Sequence, residues 1–285
     1  MADDFAWIRN WVEESPYTKT VGVLAEEISA EGAKLRLPFS DNNANPGKAL
    51  HGGCAATLAS TGGQTVTRAV LGEGSGPWHT CGLQVNYLAA AIGEDVVAEA
   101  RLLRRGKEMC FVEVDVATEE GKSIAHATTM VRGRFGHDAA EPIATRGDDG
   151  AADPGPMGPH MGKLPFGALL GLDVQHMAGG TSRIFMPWKD SNADAGGGVH
   201  EGAVLALFDT TGAMAGWAET GPGPFKASTP AIQGQLLAPA PKQDLVAYGR
   251  VVQRDADIFW SDVEVAGAND GKVICRGTVL YRIVV

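Results

Sequence analysis

The chain has 285 residues, of which 44% are apolar, so it is long enough for one large domain or two small ones around a real hydrophobic core. Its formal net charge of −10 at pH 7 argues against non-specific binding to nucleic acid, because such binding needs a basic surface. The charge does not exclude a small anionic ligand, which needs only a local positive patch.

The four cysteines are scattered and form no CxxC pair, which predicts reduced thiols in a cytoplasmic protein rather than a disulfide scaffold. The histidines and cysteines also lack metal-ligand spacing, so no metal site is expected. The first residues are acidic and amphipathic, and we expect no secretory signal. No stretch of about 18 apolar residues occurs, so no membrane span is expected either.

The predicted elements begin with a short helix in "DDFAWIRNWVEES", where Phe5, Ile8 and Trp11 or Val12 recur at helical spacing, and we expect this helix to pack on the outside of the fold. A strand pair, a long helix and four strands follow, and the later strands alternate apolar and polar residues, as in "CFVEVDVAT". The predicted ranges are 21–29, 33–38, 51–70, 80–90, 95–105, 109–118 and 122–132.

Residues 136–162 are rich in Gly, Pro, Ala and Asp and have almost no apolar periodicity, which is typical of a linker. Beyond the linker, the same order of elements recurs. The predicted ranges in this second half are 170–176, 181–187, 200–218, 229–237, 244–254, 257–266 and 272–284.

The two halves also share a sequence pattern: "HGGCAATLASTGG" at 51–63 and "HEGAVLALFDTTG" at 200–212 lie 149 positions apart. Between 51–70 and 200–219 six of twenty residues are identical, where composition alone would give roughly one or two. The chain is therefore interpreted as a tandem repeat. Its predicted parts are an N-terminal domain with the leading helix (1–135), a linker (136–163) and a C-terminal domain (164–285). Each domain is expected to be α+β, with an antiparallel sheet wrapped around one long helix.

The stretch "NPGKALHGGCAATLAS", together with a β-α-β-β-β-β order, resembles hotdog-fold acyl-CoA thioesterases, in particular the PaaI-like (phenylacetyl-CoA thioesterase-like) branch. The resemblance covers both halves and implies two tandem hotdog domains, paired as an intrachain pseudo-dimer. It also implies active sites at the interface between the halves, each built from both of them.

The family pattern has an Asn six residues before His-Gly-Gly, an acidic residue nine after the His, and a hydroxyl residue on the next strand. By this resemblance, one intact site combines residues of both halves, and the other combination departs from the pattern at three positions. The implied intact site consists of Asn45, His51 and Gly52 from the first half with Asp209 and Thr229 from the second. The implied degraded site consists of Asp194, His200 and Glu201 with Ser60 and Thr80.

The chemistry of thioester hydrolysis suits two of these residues. The N–H of Gly52 lies at the start of a predicted helix, where free N–H groups and the helix dipole favour a developing oxyanion. Asp209 lies in mid-helix among small and apolar residues, where a carboxylate is costly unless it is used. It could be a general base that activates water or a nucleophile that forms an anhydride. The alternatives are a merely flexible helix start at Gly52 and a solvated Asp209.

The other roles are assigned more loosely. Asn45 and His51 are expected to position the carbonyl or the water, although His51 could simply fasten its loop. Thr229 could orient the water, or it could simply reflect the β-propensity of Thr. In "RLLRRGK", Arg105 and Lys107 near a hairpin tip could bind the phosphates of coenzyme A, or they could belong to a solvated face.

These features predict a hydrolase of acyl-CoA thioesters with one working site per chain. Coenzyme A enters only as part of the substrate, with no other cofactor, no nucleic acid and no membrane partner, and we expect a homo-oligomer. The alternative is a non-catalytic acyl-CoA-binding or regulatory protein, since Ser60 and Glu201 show that site residues can be lost. A hotdog hydratase is a third option, but its Asp-His motif is not found here.

Overall fold

The computed structural model describes residues 4–285. The helices are α1 (Ala6–Glu14), α2 (Pro16–Val21), α3 (Gly52–Leu71), α4 (Gly158–Met161), α5 (Pro165–Leu170) and α6 (Glu201–Thr220). The strands are β1 (Leu24–Ile28), β2 (Gly32–Leu37), β3 (Trp78–Tyr87), β4 (Val96–Arg105), β5 (Met109–Thr118), β6 (Ser123–Gly133), β7 (Asp173–Ala178), β8 (Thr181–Met186), β9 (Lys226–Leu236), β10 (Leu245–Asp255), β11 (Ile258–Gly267) and β12 (Val273–Val284).

All twelve strands form one antiparallel sheet in the order β1-β2-β4-β5-β6-β3-β9-β12-β11-β10-β8-β7. The two halves meet where β3 pairs with β9, and Gln84 there faces Gln233, the residue 149 positions further along the chain. The halves are thus related by a pseudo-twofold axis at this pair. This arrangement confirms two hotdog domains joined as an intrachain pseudo-dimer.

The long helices α3 and α6 are buried along most of their length and cross beneath the seam between the halves. Their close approach depends on small residues at equivalent positions. A Cβ on Gly53 would lie 2.7 Å from the Ala206 Cβ, and one on Gly202 would lie 2.5 Å from the Thr57 Oγ1. A larger residue at either glycine would push the helices apart, so the contact positions the start of each helix against the middle of the other.

The predicted strands and long helices agree with the observed ones to within a few residues. The first strand of each half is shorter than predicted, because the short helices α2 and α5 precede it. Pro16 and Pro165 occupy the first turn of these helices, where a missing N–H costs nothing, and Gly22 and Gly171 end them with φ of 99° and 76°. The proline at the start and the glycine at the end of each short helix are the local signals that mark it in the sequence.

The leading helix α1 forms as predicted, with Ile8, Trp11 and Val12 buried. However, it does more than pack on the outside of its own half. Trp11 Nε1 donates a hydrogen bond of 2.8 Å to Asp194 Oδ1, so α1 also contacts the second half. No periodicity in the sequence could reveal this partner, which lies 183 residues away.

The segment between the halves is held on the second half by polar contacts. Ala144 forms a β-bridge with Lys272, Arg146 pairs with Glu264 at 2.9 Å, and Asp148 pairs with Arg183 at 2.6 Å. Because these contacts are polar, they leave no hydrophobic pattern in the sequence.

None of the helices within residues 4–285 is both long and apolar enough to cross a lipid bilayer.

Candidate functional site

The start of α3 leaves one backbone donor free. The His51 Nδ1 accepts a 3.0 Å hydrogen bond from the Gly53 N–H, and the His51 carbonyl accepts from Cys54. Among residues 4–285, the Gly52 N–H meets no acceptor. It is therefore available, at the positive end of a 20-residue helix, to a ligand oxygen.

Asp209 lies in the middle of α6 and is only 3% exposed. Burial raises the pKa of Asp209 to about 6, and a hydrogen bond from Thr229 opposes part of this rise. The Thr229 hydroxyl, on β9, donates to Asp209 Oδ1 at 2.9 Å. The alternative of a solvated Asp209 is wrong, because the side chain is enclosed at the seam.

Gly52 and Asp209 are brought together across the seam, although they lie in different halves. A Cβ on Gly52 would lie 2.8 Å from Asp209 Oδ2. Since Thr229 engages the other oxygen, Oδ2 is the carboxylate atom that faces the start of α3. The structure thus brings a carboxylate oxygen of one half close to the residue of the other half that carries the free N–H.

Asn45 and His51 shape the loop before α3. Asn45 Oδ1 accepts hydrogen bonds from the N–H groups of Gly47 (3.0 Å) and Ala49 (3.2 Å), so it fixes the turn. Desolvation lowers the pKa of His51 to about 4, and because its Nδ1 is an acceptor, the neutral ring carries its proton on Nε2. The contacts of both residues agree with fastening of the loop, and their predicted roles towards a carbonyl or a water stay predictions.

Two aromatic residues at this site were missed from the sequence. The Tyr87 hydroxyl, at the end of β3, donates to the Gly52 carbonyl at 3.1 Å, and the Phe166 ring lies 4.6 Å from the His51 ring. Phe166 aligns with Tyr17 in the repeat, and the Tyr17 ring lies 5.0 Å from the His200 ring. In each case an aromatic ring of one half contacts the histidine of the other half, so the alignment of the repeats marks Phe166 as the equivalent of Tyr17. No sequence signal marks Tyr87, because its partner is a backbone carbonyl.

The second combination of residues also has a buried carboxylate, but it comes from the start of α6 rather than from the middle of that helix. Glu201 stands where Gly52 stands in the first site, and its Oε1 accepts from the Thr80 N–H at 2.9 Å. Its Oε2 accepts a longer bond of 3.4 Å from the Ser60 hydroxyl, at the position equivalent to Asp209. The glutamate therefore fills the space that Gly52 leaves open in the first site.

The helix start of the second site is otherwise preserved. His200 Nδ1 accepts from the Gly202 N–H at 3.0 Å, as His51 does from Gly53. Asp194 takes the place of Asn45 and accepts from the Gly196 N–H at 2.8 Å. The two sites thus share their framework and differ mainly in the exchange of Gly and Asp for Glu and Ser.

Arg105 and Lys107 are not brought to the first site. They lie on the exposed β4–β5 hairpin, where Arg105 pairs with Cys110, a neighbour of Thr67 near the end of α3. Gly52 is at the other end of this helix, which is about 30 Å long. Their binding of coenzyme A phosphates stays a prediction.

Comparisons with known proteins cover both one half and the whole chain. Residues 7–132 match a family described as a domain of unknown function, DUF4442. A protein of Halobacterium salinarum, named provisionally as an esterase, is 33% identical over 138 residues, which are 47% of this chain and 91% of that protein. Acyl-coenzyme A thioesterase 13 of Mus musculus is 32% identical over 103 residues, which are 34% of this chain and 71% of that protein.

Solved structures resemble the whole chain. A hot dog fold protein of unknown function from Alicyclobacillus acidocaldarius has a TM-score of 0.64 at 18% identity, covering 88% of this chain and 93% of that one. The tesB protein of Mycobacterium avium has a TM-score of 0.67 at 10% identity, covering 92% and 96%. At these identities the likeness concerns the fold, and it extends across both halves.

Proposed function

The chain belongs to the hotdog-fold thioesterase superfamily, and on this premise we propose that it hydrolyses acyl-CoA thioesters to a free acid and coenzyme A at one composite site between its halves. The substrate class follows from the mouse relative, which is named as an acyl-coenzyme A thioesterase. The observation that carries the proposal is the approach of the Asp209 carboxylate to Gly52 across the seam.

In the proposed reaction, the thioester carbonyl oxygen accepts a hydrogen bond from the Gly52 N–H. This donor stabilises the negative charge that develops on the oxygen as the carbonyl carbon is attacked. Because position 52 has no side chain, the carbonyl can reach the backbone. The Asp209 side chain at the seam is only 3% exposed, and electrostatic interactions are stronger in such a buried environment than in water.

Asp209 supplies the second half of the chemistry. As a general base, its Oδ2 takes a proton from water, the water oxygen bonds to the carbonyl carbon, and the carbon–sulfur bond breaks. The proton then passes from Asp209 to the departing thiolate of coenzyme A. As a nucleophile, Asp209 would instead form an anhydride that water opens in a second step. Both routes need the ionised carboxylate, and Thr229 keeps one of its oxygens in place.

The direct test is release of free thiol from a panel of acyl-CoA thioesters of different chain length, including an aryl member. The proposal expects saturable thiol release with at least one of them. Binding of these thioesters without thiol release would instead support the non-catalytic alternative. The cytoplasmic location, the homo-oligomer and the lack of a further cofactor stay predictions.

The rate is expected to follow the ionisation of Asp209. Since burial raises its pKa to about 6, kcat/KM should level off above this pH and fall tenfold per pH unit well below it. Thr229→Val removes the hydrogen bond that lowers this pKa, so the midpoint should move to higher pH. Thr229→Ser keeps the hydroxyl and serves as the matched control. An identical midpoint in all three proteins would argue against Asp209 as the titrating group.

A further inference from the structure

A buried guanidinium, that of Arg68, lies near the second site. Arg68, in the last turns of α3, is only 7% exposed, and its guanidinium carbon lies 3.8 Å from the Trp11 ring centroid and 4.1 Å from that of Trp78. Its Nη2 donates to Gln64 Oε1 at 2.7 Å, whereas its Nε is buried and has no partner among residues 4–285. Burial lowers the pKa of Arg68 to about 10, so it stays charged at neutral pH.

This charge has no ion-pair partner within the part of the chain that the structure describes. No carboxylate oxygen of residues 4–285 lies within 4.0 Å of the Arg68 nitrogens. The indole rings attract the cation, but this attraction is smaller than the cost of removing a guanidinium from water. Buried charges in proteins are normally paired, so an anion from outside the chain would offset the cost of burying the Arg68 guanidinium.

A cleft leads to this guanidinium. Its volume is about 520 Å³, which suits a small organic molecule. Apolar and aromatic side chains make up much of the lining, and Lys242 adds a second positive charge. The principal lining residues are Trp11, Trp78, Pro77, Pro239, Pro241 and Val199.

The two acidic residues in the cleft are already bonded to other donors. Asp194 accepts from Trp11 Nε1 at 2.8 Å and from the Gly196 N–H at 2.8 Å, and Glu201 accepts from the Thr80 N–H. Burial raises the pKa of Glu201, and both acids act on Arg68 only from beyond ion-pair distance, where they raise its pKa. The cation at Arg68 is therefore not neutralised by direct contact with either acid.

The feature is absent from the first site. The residue 149 positions after Arg68 is Trp217, whose Nε1 donates to the Tyr281 hydroxyl at 3.0 Å. The first site thus has an apolar residue where the second has a cation. In addition, Glu201 fills the space that a thioester carbonyl would need beside the helix start.

We propose that the second composite site binds organic carboxylates with an apolar body, the carboxylate at the Arg68 guanidinium and the apolar part along Trp11, Trp78 and the prolines. A planar guanidinium matches a carboxylate with two hydrogen bonds, which a neutral amide cannot reproduce with the same strength. Free acids of the kind released by the proposed hydrolysis belong to this class. The binding itself requires no turnover, so it stands or falls independently of the proposed function.

The test is titration calorimetry at pH 7.5 with hexanoate and benzoate as probes and hexanamide as the neutral control. We expect saturable binding of at least one carboxylate and at least about tenfold weaker binding of hexanamide, because a charge-assisted hydrogen bond is lost. Arg68→Met should weaken carboxylate binding at least about tenfold. Arg68→Lys keeps the charge without the planar guanidinium, so its affinity for the carboxylate should lie between those of the unaltered protein and Arg68→Met.

The matched control is Arg276→Met, which removes the same charge from the exposed face of β12 and should bind like the unaltered protein. A melting curve shows that each variant is folded. If Arg68→Met does not fold, Arg68→Lys carries the comparison. The proposal is wrong if neither carboxylate binds at about 10 mM, if hexanamide binds equally well, or if folded Arg68 variants bind like the unaltered protein.

Discussion

Replacing Asp209 by Asn is expected to reduce thioester hydrolysis by about 10²- to 10⁴-fold, because the neutral amide can neither take a proton from water nor attack the carbonyl. The replacement keeps the size of the side chain and leaves an oxygen that can accept from Thr229. The loss should therefore appear in kcat more than in KM. Steady-state thiol release with the best acyl-CoA substrate measures it.

Ser60→Ala is the matched control, because Ser60 occupies the position in α3 equivalent to Asp209 in α6. Among residues 4–285, its hydroxyl makes only the long 3.4 Å contact with Glu201, so hydrolysis should stay nearly intact. An equal loss of hydrolysis in Ser60→Ala would show that catalysis is not confined to the site that contains Asp209. Residual activity of Asp209→Asn near that of the unaltered protein would exclude Asp209 from the reaction.

Asp209→Asn should not destabilise the fold, and a normal melting curve would show that its loss of activity is chemical and not caused by unfolding. A carboxyl whose folded pKa is about 6 and whose ordinary value is 3.8 contributes stability that is fully present below the ordinary pKa. That contribution is lost as pH rises through the folded pKa, so ionised Asp209 costs about 2–3 kcal/mol at pH 8. Asp209→Asn removes this cost and should melt at the same or a higher temperature at pH 8, as calorimetry can check.

Gly52→Ala is expected to lower hydrolysis by about 10²- to 10³-fold, the effect of losing one oxyanion donor. The added Cβ would lie 2.8 Å from Asp209 Oδ2 and 3.5 Å from the Tyr87 ring, so it displaces the carboxylate and fills the space for the thioester carbonyl. The N–H is still present, but the substrate oxygen can no longer reach it. Both kcat and kcat/KM should fall in the thiol-release assay.

Gly74→Ala is the control for the general effect of a methyl group on a glycine. Gly74 lies outside the site, and a Cβ there would meet nothing within 4 Å. Its activity and melting temperature should match those of the unaltered protein. Full activity of Gly52→Ala, with a normal melting curve, would mean that the carbonyl does not bind at the start of α3.

The second site suggests why Gly52 and Asp209 belong together. There, a side chain at the helix start is tolerated because the facing residue is Ser60 rather than a carboxylate. Each site thus holds one buried carboxyl group, and the residue opposite it is small. A change at position 52 or 209 alone breaks this relation, so the two effects should not be additive in the double variant.

The sequence alone determined the repeat, the order of strands and helices, and the residues that could form a composite site. The linear sequence sufficed for these, because the offset of 149 residues, the alternating strands and the histidine before each long helix can all be read along the chain. The approach of Asp209 to Gly52 was expected from a family resemblance, and the spacing within each half could not have supplied it.

Only the tertiary structure decided what surrounds the two sites. It placed Tyr87 beneath Gly52, carried the Glu201 carboxylate to Thr80, and enclosed Arg68 between Trp11 and Trp78. These contacts join residues that are far apart in the chain, and they depend on how closely α3 and α6 cross. That distance is set by Gly53 and Gly202 against side chains of the opposite helix, a fit that no pattern within one segment can encode.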